Sequence, residues 1–477
     1  MTIFAEIASL EPGATLVWNG RDIKVEQRLD LLDDSSKVRL TASAPTSLNE
    51  LRRAGEASAF ALWASADKTA VKKADSTKVS TPRYEEAVER VRLALEDAVR
   101  SHLVSDVPLG AFLSGGLDSS IVVALMRKAT SGPIRTCSLV FEERDYSEGA
   151  YAREVADAVG SEHYERVITA DEAASRLDEV FRAMDQPTSD GVNTYFVSET
   201  ARQAGLTVAL SGLGGDELFG GYPCTFRDAP ALARTLEFTS KVPGAAALAR
   251  ATVDAMTNPR RWGNISAALD RPASLASAYV ARRSVFSPAE VQTLLSDEVL
   301  EAAGGFDPVA HVVARTGSGG DQFSWLSRAE LRSYTHHQLL RDTDVMSMAH
   351  SLEVRVPLLD DRLVRLVLGL PESVKREGSG PKPLLIAGAG DLLPARVRSR
   401  RDKHGFTLPF DRWLKTTLRS HFEDLFRSEA SAGGSMCRPA GVRSLWDDYL
   451  AGGVHWSRPW AVAAFLRWCQ EHQPPTS

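Results

Sequence analysis

Cysteine is scarce: four residues (Cys137, Cys224, Cys437 and Cys469) in a chain of 477. They are scattered, with neither CxxC nor Cys/His metal spacing, which suits a reduced, cytoplasmic protein with structural thiols. Long apolar runs are missing too, so no stretch reaches the length of a membrane span, and no charged-then-apolar leader opens the sequence. Positive charge is not in excess. Lys and Arg number 56 against 62 Asp and Glu, a net charge of −6, which argues against broad binding to nucleic acid or acidic membranes. No internal repeat is evident.

What is present is an ordinary globular composition, 43% hydrophobic and 25% charged, over a length that allows two or three domains. Residues 1–45 read as short strands and turns, with strands at 15–18 and 23–27 around an Asn19-Gly20 hairpin signal. Residues 46–82 are rich in Ala, Ser, Thr and Lys and read as a linker, with a weak helical patch at 48–63. From residue 83 to 477 the pattern is that of one large domain. Val88, Val91, Leu93, Leu95, Val99 and Leu103 predict an amphipathic helix. Strands are expected at 107–113, 134–141, 163–168 and 206–210, and helices at 119–128, 151–159, 170–184 and 195–203. That alternation predicts an α/β fold with a doubly wound parallel sheet. Beyond about Pro230 strand patterns vanish and the chain reads as mostly helix, with Trp446, Trp456, Trp460 and Trp468 as core anchors.

The organising stretch is Ala111-Phe-Leu-Ser-Gly-Gly-Leu-Asp-Ser-Ser120. An apolar strand leads into a Gly-Gly turn and then a helix, so unpartnered N–H groups at the positive helix end can meet a polyphosphate. Asp118 would repel phosphate unless a Mg²⁺ lies between them. A packing turn is the competing explanation of the glycines alone. The full string resembles the pyrophosphate loop of the ATP pyrophosphatases. The resemblance implies that Ser114, Gly115, Gly116, Ser119 and Ser120 cradle pyrophosphate and that Asp118 holds magnesium.

A second stretch, Leu210-Ser-Gly-Leu-Gly-Gly-Asp-Glu-Leu-Phe-Gly-Gly-Tyr222, follows an apolar strand directly. Ser211-Gly212 would form a backbone wall for nucleotide, and Asp216 a second magnesium carboxylate clamping the leaving group. The third runs from Arg341 to Asp360; its charges, Asp342/Asp344 and Glu353/Arg355, are also what a salt-bridged helix end shows, and Met346 and Met348 read as core. The fourth holds Lys382 in Gly378-Ser-Gly-Pro-Lys-Pro and continues to Lys403-His-Gly-Phe406. Lys382 suits a cation facing phosphate or acyl-phosphate oxygens, against the commoner fate of a surface lysine. His404 is assigned no catalytic role.

In this order and spacing the four stretches resemble glutamine-dependent asparagine synthetases, over about residues 84–468. The resemblance implies an adenine nucleotide alpha hydrolase-like sheet, with ATP against Leu113, Leu139, Ser211 and Gly212. It also implies Mg²⁺ on Asp118 and Asp216, and Lys382 at the phosphates or the intermediate. The implied chemistry is adenylation of a carboxylate, aspartate in that family, with release of pyrophosphate, followed by attack of ammonia. Two departures stand out. Many members have Glu where this chain has Leu213, so Glu217 or another acid serves there, or the acceptor differs. The family's glutaminase domain begins with Cys after Met, whereas here Thr2 follows, and residues 1–45 resemble only that domain's closing strands. The expected partners are therefore a carboxylate, ammonia and a separate glutaminase, with no nucleic acid or membrane, and a homodimer as the expected assembly. A specialised-pathway amide or lactam synthetase and a non-catalytic partner of an intact synthetase are the alternatives.

Overall fold

The computed structural model describes residues 14–18, 23–27, 84–143, 145–254, 259–400, 407–428 and 436–472. The chain divides into two units, Met1–Arg83 and Tyr84–Ser477. In the first, β1 (Ala14–Trp18) and β2 (Ile23–Gln27) pair antiparallel, with Trp18 opposite Ile23. The Asn19-Gly20 turn, the helical patch at 48–63 and the 46–82 linker lie outside the described residues, as do Thr2 and His404.

The second unit is built on five parallel strands: β3 (Leu109–Phe112), β4 (Arg135–Phe141), β5 (Glu162–Ile168), β6 (Val208–Leu210) and β7 (Glu353–Arg355). Their order is β5-β4-β3-β6-β7. β6, an apolar run, is wholly buried, and β4 nearly so, with Thr136 and Ser138 enclosed beside its apolar residues, as strands covered on both faces should be. β5 closes one edge and leaves Tyr164 and Val167 exposed.

Helices cover both faces. On one lie α1 (Tyr84–His102), α2 (Leu117–Ala129) and α3 (Gly149–Val159), sharing a core of Val91, Leu95, Ile121, Leu125 and Val155. α1 carries Glu85 and Glu86 in its first turn and Arg100 and His102 in its last, matching the helix dipole. Its buried residues, Ala87, Val91, Leu95, Ala98 and Val99, follow the three-and-four spacing. Leu93, expected on that face, is 48% exposed, because two residues on from Val91 it points to the opposite side. On the other face lie α4 (Ala170–Ala183) and α5 (Val192–Gln203) with the C-terminal helices, in a core containing Phe181, Phe196, Trp446 and Trp460. Phe426 stacks on Trp446 at 4.9 Å and Phe410 on Trp460 at 4.1 Å. The sheet is doubly wound.

Two expectations beyond Pro230 need correction. Glu353 and Arg355 are not a helix end: they flank Val354 in β7, which pairs with β6 through Val208–Glu353 and Leu210–Arg355. Three residues are too few for a period to show, so only the pairing reveals the strand. Met346 is buried as expected, but Met348 is 54% exposed, two positions round the helix Arg341–Met348. Among the described residues no helix is long and apolar enough to cross a membrane.

From β3 the chain winds outward to β4 and β5, then crosses back to place β6 on the other side of β3. The turns leaving β3 and β6 are therefore neighbours at the carboxyl edge of the sheet, where the winding reverses.

Candidate active site

The turn after β3 is tied down by its own polar atoms. Leu113 N–H bonds the Cys137 carbonyl at 2.9 Å, continuing the ladder. The Ser114 and Ser119 hydroxyls lie 3.1 Å apart, and the Gly116 N–H donates to Ser114 Oγ at 3.2 Å. No side chain caps α2, whose N-cap is Gly116, so its first N–H groups face the turn's mouth. Gly115 takes φ 78°, and a Cβ there would run into Ala152 N and Tyr151 of α3. Ser120 is fully buried, and its hydroxyl has no hydrogen-bond partner among the described residues. The side chains of Leu113 and Leu139 are committed to cores on opposite faces of the sheet.

The turn after β6 abuts it. Ser211 N–H bonds the Arg355 carbonyl at 2.8 Å, and a Cβ on Gly212 would stand 2.5 Å from Ser119 N. Gly215 is equally close to the Asp118 carboxylate, and Gly221 closer still to Asp216 and Lys382. These glycines are what lets two loops and a third segment meet. Where they meet, the Lys382 ammonium pairs with Asp118 and, at 2.6 Å, with Asp216. Lys382 is only 3% exposed, so it is no surface lysine. Burial works against its charge, yet the two carboxylates hold its pKa above the ordinary lysine range. It also adopts the left-handed conformation (φ 51°, ψ 52°) immediately before Pro383, a backbone state that costs ~1–3 kcal/mol and collects at functional sites.

Two carboxylates from separate loops converging on one cation fit a magnesium ion that takes its other ligands from phosphate oxygens. Among the described residues no group of three or more His, Cys, Asp or Glu forms a cage, so the protein donors alone would not complete the shell.

The chain matches the asparagine synthase family over residues 90–470. It belongs to that family. The asparagine synthetase [glutamine-hydrolyzing] 1 of Bacillus subtilis (strain 168) is 30% identical over 385 residues, 80% of this chain and 59% of that protein. Asparagine synthetase B [glutamine-hydrolyzing] of Escherichia coli (strain K12) is 35% identical over 154 residues, 28% of this chain and 26% of that protein. This family member thus spans little more than half the length of its B. subtilis relative.

Around the site of this asparagine synthase family member stand Glu217, which the sequence had named, and Tyr222, Arg283, Tyr334 and Arg400, which sequence reasoning missed. Glu217 is 1% exposed; burial, with Asp216 beside it, pushes its carboxyl up to about 7, and the Tyr222 hydroxyl donates to its Oε1 at 2.8 Å. The Tyr222 ring meets Tyr334 edge-on at 6.3 Å. Arg283 lies over both rings, 5.0 and 4.1 Å from their centres, and pairs with Glu330 at 2.8 Å. Arg400 donates to the Gly115 carbonyl at 3.3 Å and pairs with Glu148, fixing the back of the first turn. Tyr222 and Arg400 sit inside stretches already singled out. Arg283 and Tyr334 carry no local signal, since they lie in helices remote in sequence.

Proposed function

We propose that this chain is an ATP-dependent, amide-forming ligase that adenylates a carboxylate, aspartate first among candidates, and passes the acyl group to ammonia. The observation that carries the reading is the meeting of Asp118, Asp216 and buried Lys382 where the winding of the sheet reverses. The turn after β3 supplies N–H groups and the Ser114 and Ser119 hydroxyls to the β and γ phosphates. Ser211 and Gly212 wall the nucleotide, and Asp118 and Asp216 would hold magnesium. The metal, when bound, neutralises the departing pyrophosphate. Lys382 brings a second positive charge, already dehydrated, to oxygens that gain charge as the α-phosphorus is attacked. Adenylation makes AMP the leaving group, so ammonia can displace it to leave the amide. Leu213, an apolar side chain on this loop, favours a second reading in which the acid is bulkier than aspartate.

Carboxylate-dependent exchange of labelled pyrophosphate into ATP tests the proposal. Exchange is expected in the wild type and lost in Asp118→Asn, with the circular dichroism spectrum kept. Exchange at the wild-type rate in the variant would sink the assignment. A panel of acids identifies the acceptor; signal only with acids other than aspartate supports the second reading. Supplying ammonium or glutamine as sole nitrogen source, while following amide and glutamate, tests the donor. Amide is expected with ammonium and no glutamate from glutamine alone; glutamate release matching amide synthesis would overturn that expectation.

A further inference from the structure

At the start of α5, a cavity of about 20 Å³ is lined by Ser189, Asp190, Asn193, Thr407, Phe410 and Trp456, among others. It has room for one water-sized group. α5 runs back to the beginning of β6, so its first residues lie at the carboxyl edge of the sheet, the edge that carries both glycine turns. The lining says what such a group is. Among the described residues no lysine or arginine lines it, and a carboxylate disfavours an apolar occupant.

Asp190 accepts from the Gly191 N–H at 2.9 Å and from the Tyr334 hydroxyl at 3.3 Å, one bond to each oxygen, which leaves lone pairs on both. Burial raises its carboxyl above the ordinary range, and it adds to the same effect on nearby Asp342. The nearby cation, Arg341, is already divided between Asp342 at 3.0 Å and Asp185 at 3.6 Å. Among the described residues around the cavity, negative charge is therefore in surplus. Phe410 and Trp456, whose ring centres are 5.6 Å apart, contribute aromatic walls, and aromatic faces attract ammonium ions. Ser189, Asn193 and Thr407 add polar atoms to the lining, with Asn193 Oδ1 accepting from the Thr194 N–H at 2.9 Å and Ser189 Oγ from the Gln338 amide at 3.4 Å.

We propose that the cavity beside Asp190 seats a primary ammonium group, either ammonium itself or the amine head of the carboxylate substrate. Its place in the reaction rests on the ligase reading; its binding does not. Through Tyr334, whose ring meets Tyr222, the seat is linked to Glu217 beside Asp216, so an occupied seat bears on the loop that carries the second carboxylate.

The test is thermal melting of the full chain in ammonium or methylammonium chloride against sodium or tetramethylammonium chloride at equal ionic strength. Ammonium and methylammonium are expected to raise the melting temperature by ~1–3 °C over the other two. Asp190→Asn should abolish that difference, and Asn193→Leu, which fills the cavity from another wall, should do the same should the first variant fold poorly. Two kinetic arms separate the sources. At least a ~tenfold rise in the ammonium KM of amide formation in Asp190→Asn assigns the seat to the free donor, and the same rise in the aspartate KM of pyrophosphate exchange assigns it to the amine head. Equal responses to ammonium and sodium in the wild type, or an undiminished ammonium response in both variants, overturn the proposal. Absence of exchange with every acid defeats the ligase reading alone, because melting needs no turnover.

Discussion

At the glycine turns, Asp118 and Asp216 share the ammonium of Lys382, and the lysine keeps its charge despite near-complete burial. Beside α5, Asp190 and Asp342 are also enclosed, but there burial wins and both carboxyls are raised, Asp342 to about 7. The contrast comes from geometry. Loops with no Cβ in the way bring a cation between two acids, whereas helix side chains reach Asp342 with one arginine that serves another acid as well. Buried charge is tolerated where a counter-charge sits between its partners, and is pushed toward neutrality where it does not. The first arrangement suits exchange of one cation for another; the second suits capture of a cation from outside.

Removing the shared cation should have the largest effect. Lys382→Met is expected to lower pyrophosphate exchange by ~10²–10³-fold or more. It also leaves two carboxylates facing each other, so Mg²⁺ without nucleotide should raise the melting temperature of the variant more than that of the wild type. An equal response in both proteins would mean the two acids do not form one cation site.

Next is the acid behind the loop. Glu217→Gln is expected to cut exchange by ~10–100-fold, while Leu213→Ala changes it only ~2–3-fold. Equal losses in the two variants would remove Glu217 from the machinery.

Gly221→Ala sets a methyl group against Asp216 and Lys382. It should cost ~1–3 kcal/mol of stability by denaturant titration and about tenfold in exchange. Gly369, where an added methyl group would meet nothing within 4 Å, is the control, and alanine there should stay within ~0.5 kcal/mol of wild type.

The smallest effect belongs to the other region. Asp342 ordinarily titrates at 3.8 but is held at about 7 in the fold. Between these values the folded chain keeps a proton that the unfolded chain has lost, so this group's contribution to stability falls as pH rises from about 4 to about 7. The melting temperature of Asp342→Asn should accordingly fall less than that of the wild type from pH 5 to pH 7, by ~2–4 °C. Parallel profiles would show that Asp342 does not titrate in that window.

Much of the sheet was legible because β3 and β6 are short apolar runs and β4 ends in one, each bounded by glycine or polar turns, and α1 to α5 keep helical spacing between them. β7 was not, because Glu353-Val-Arg355 shows two charges and one apolar residue, and its strand character comes from pairing with β6. Trp456 illustrates a second limit. It was grouped with Trp446, Trp460 and Trp468 as a core anchor, but those three are at most 8% exposed while Trp456 is only partly buried and walls the cavity. Apolar bulk in a sequence says that a ring will be covered, not by what.

The sequence by itself determined where the phosphate chemistry would be sought. Ser114 to Ser120 and Ser211 to Asp216 are each continuous, and a glycine turn between a strand and a helix fixes its own backbone from local sterics. The state of Lys382 was decided by the tertiary structure alone. Nothing within Gly378-Ser-Gly-Pro-Lys-Pro distinguishes a solvated lysine from a buried one. It is the approach of two loops more than a hundred residues away in sequence that strips its water and replaces it with Asp118 and Asp216. The same holds for the seat beside Asp190, whose walls come from segments near residues 190, 408 and 456. Their convergence is set by how the C-terminal helices pack on α4 and α5, a long-range term that no local pattern encodes.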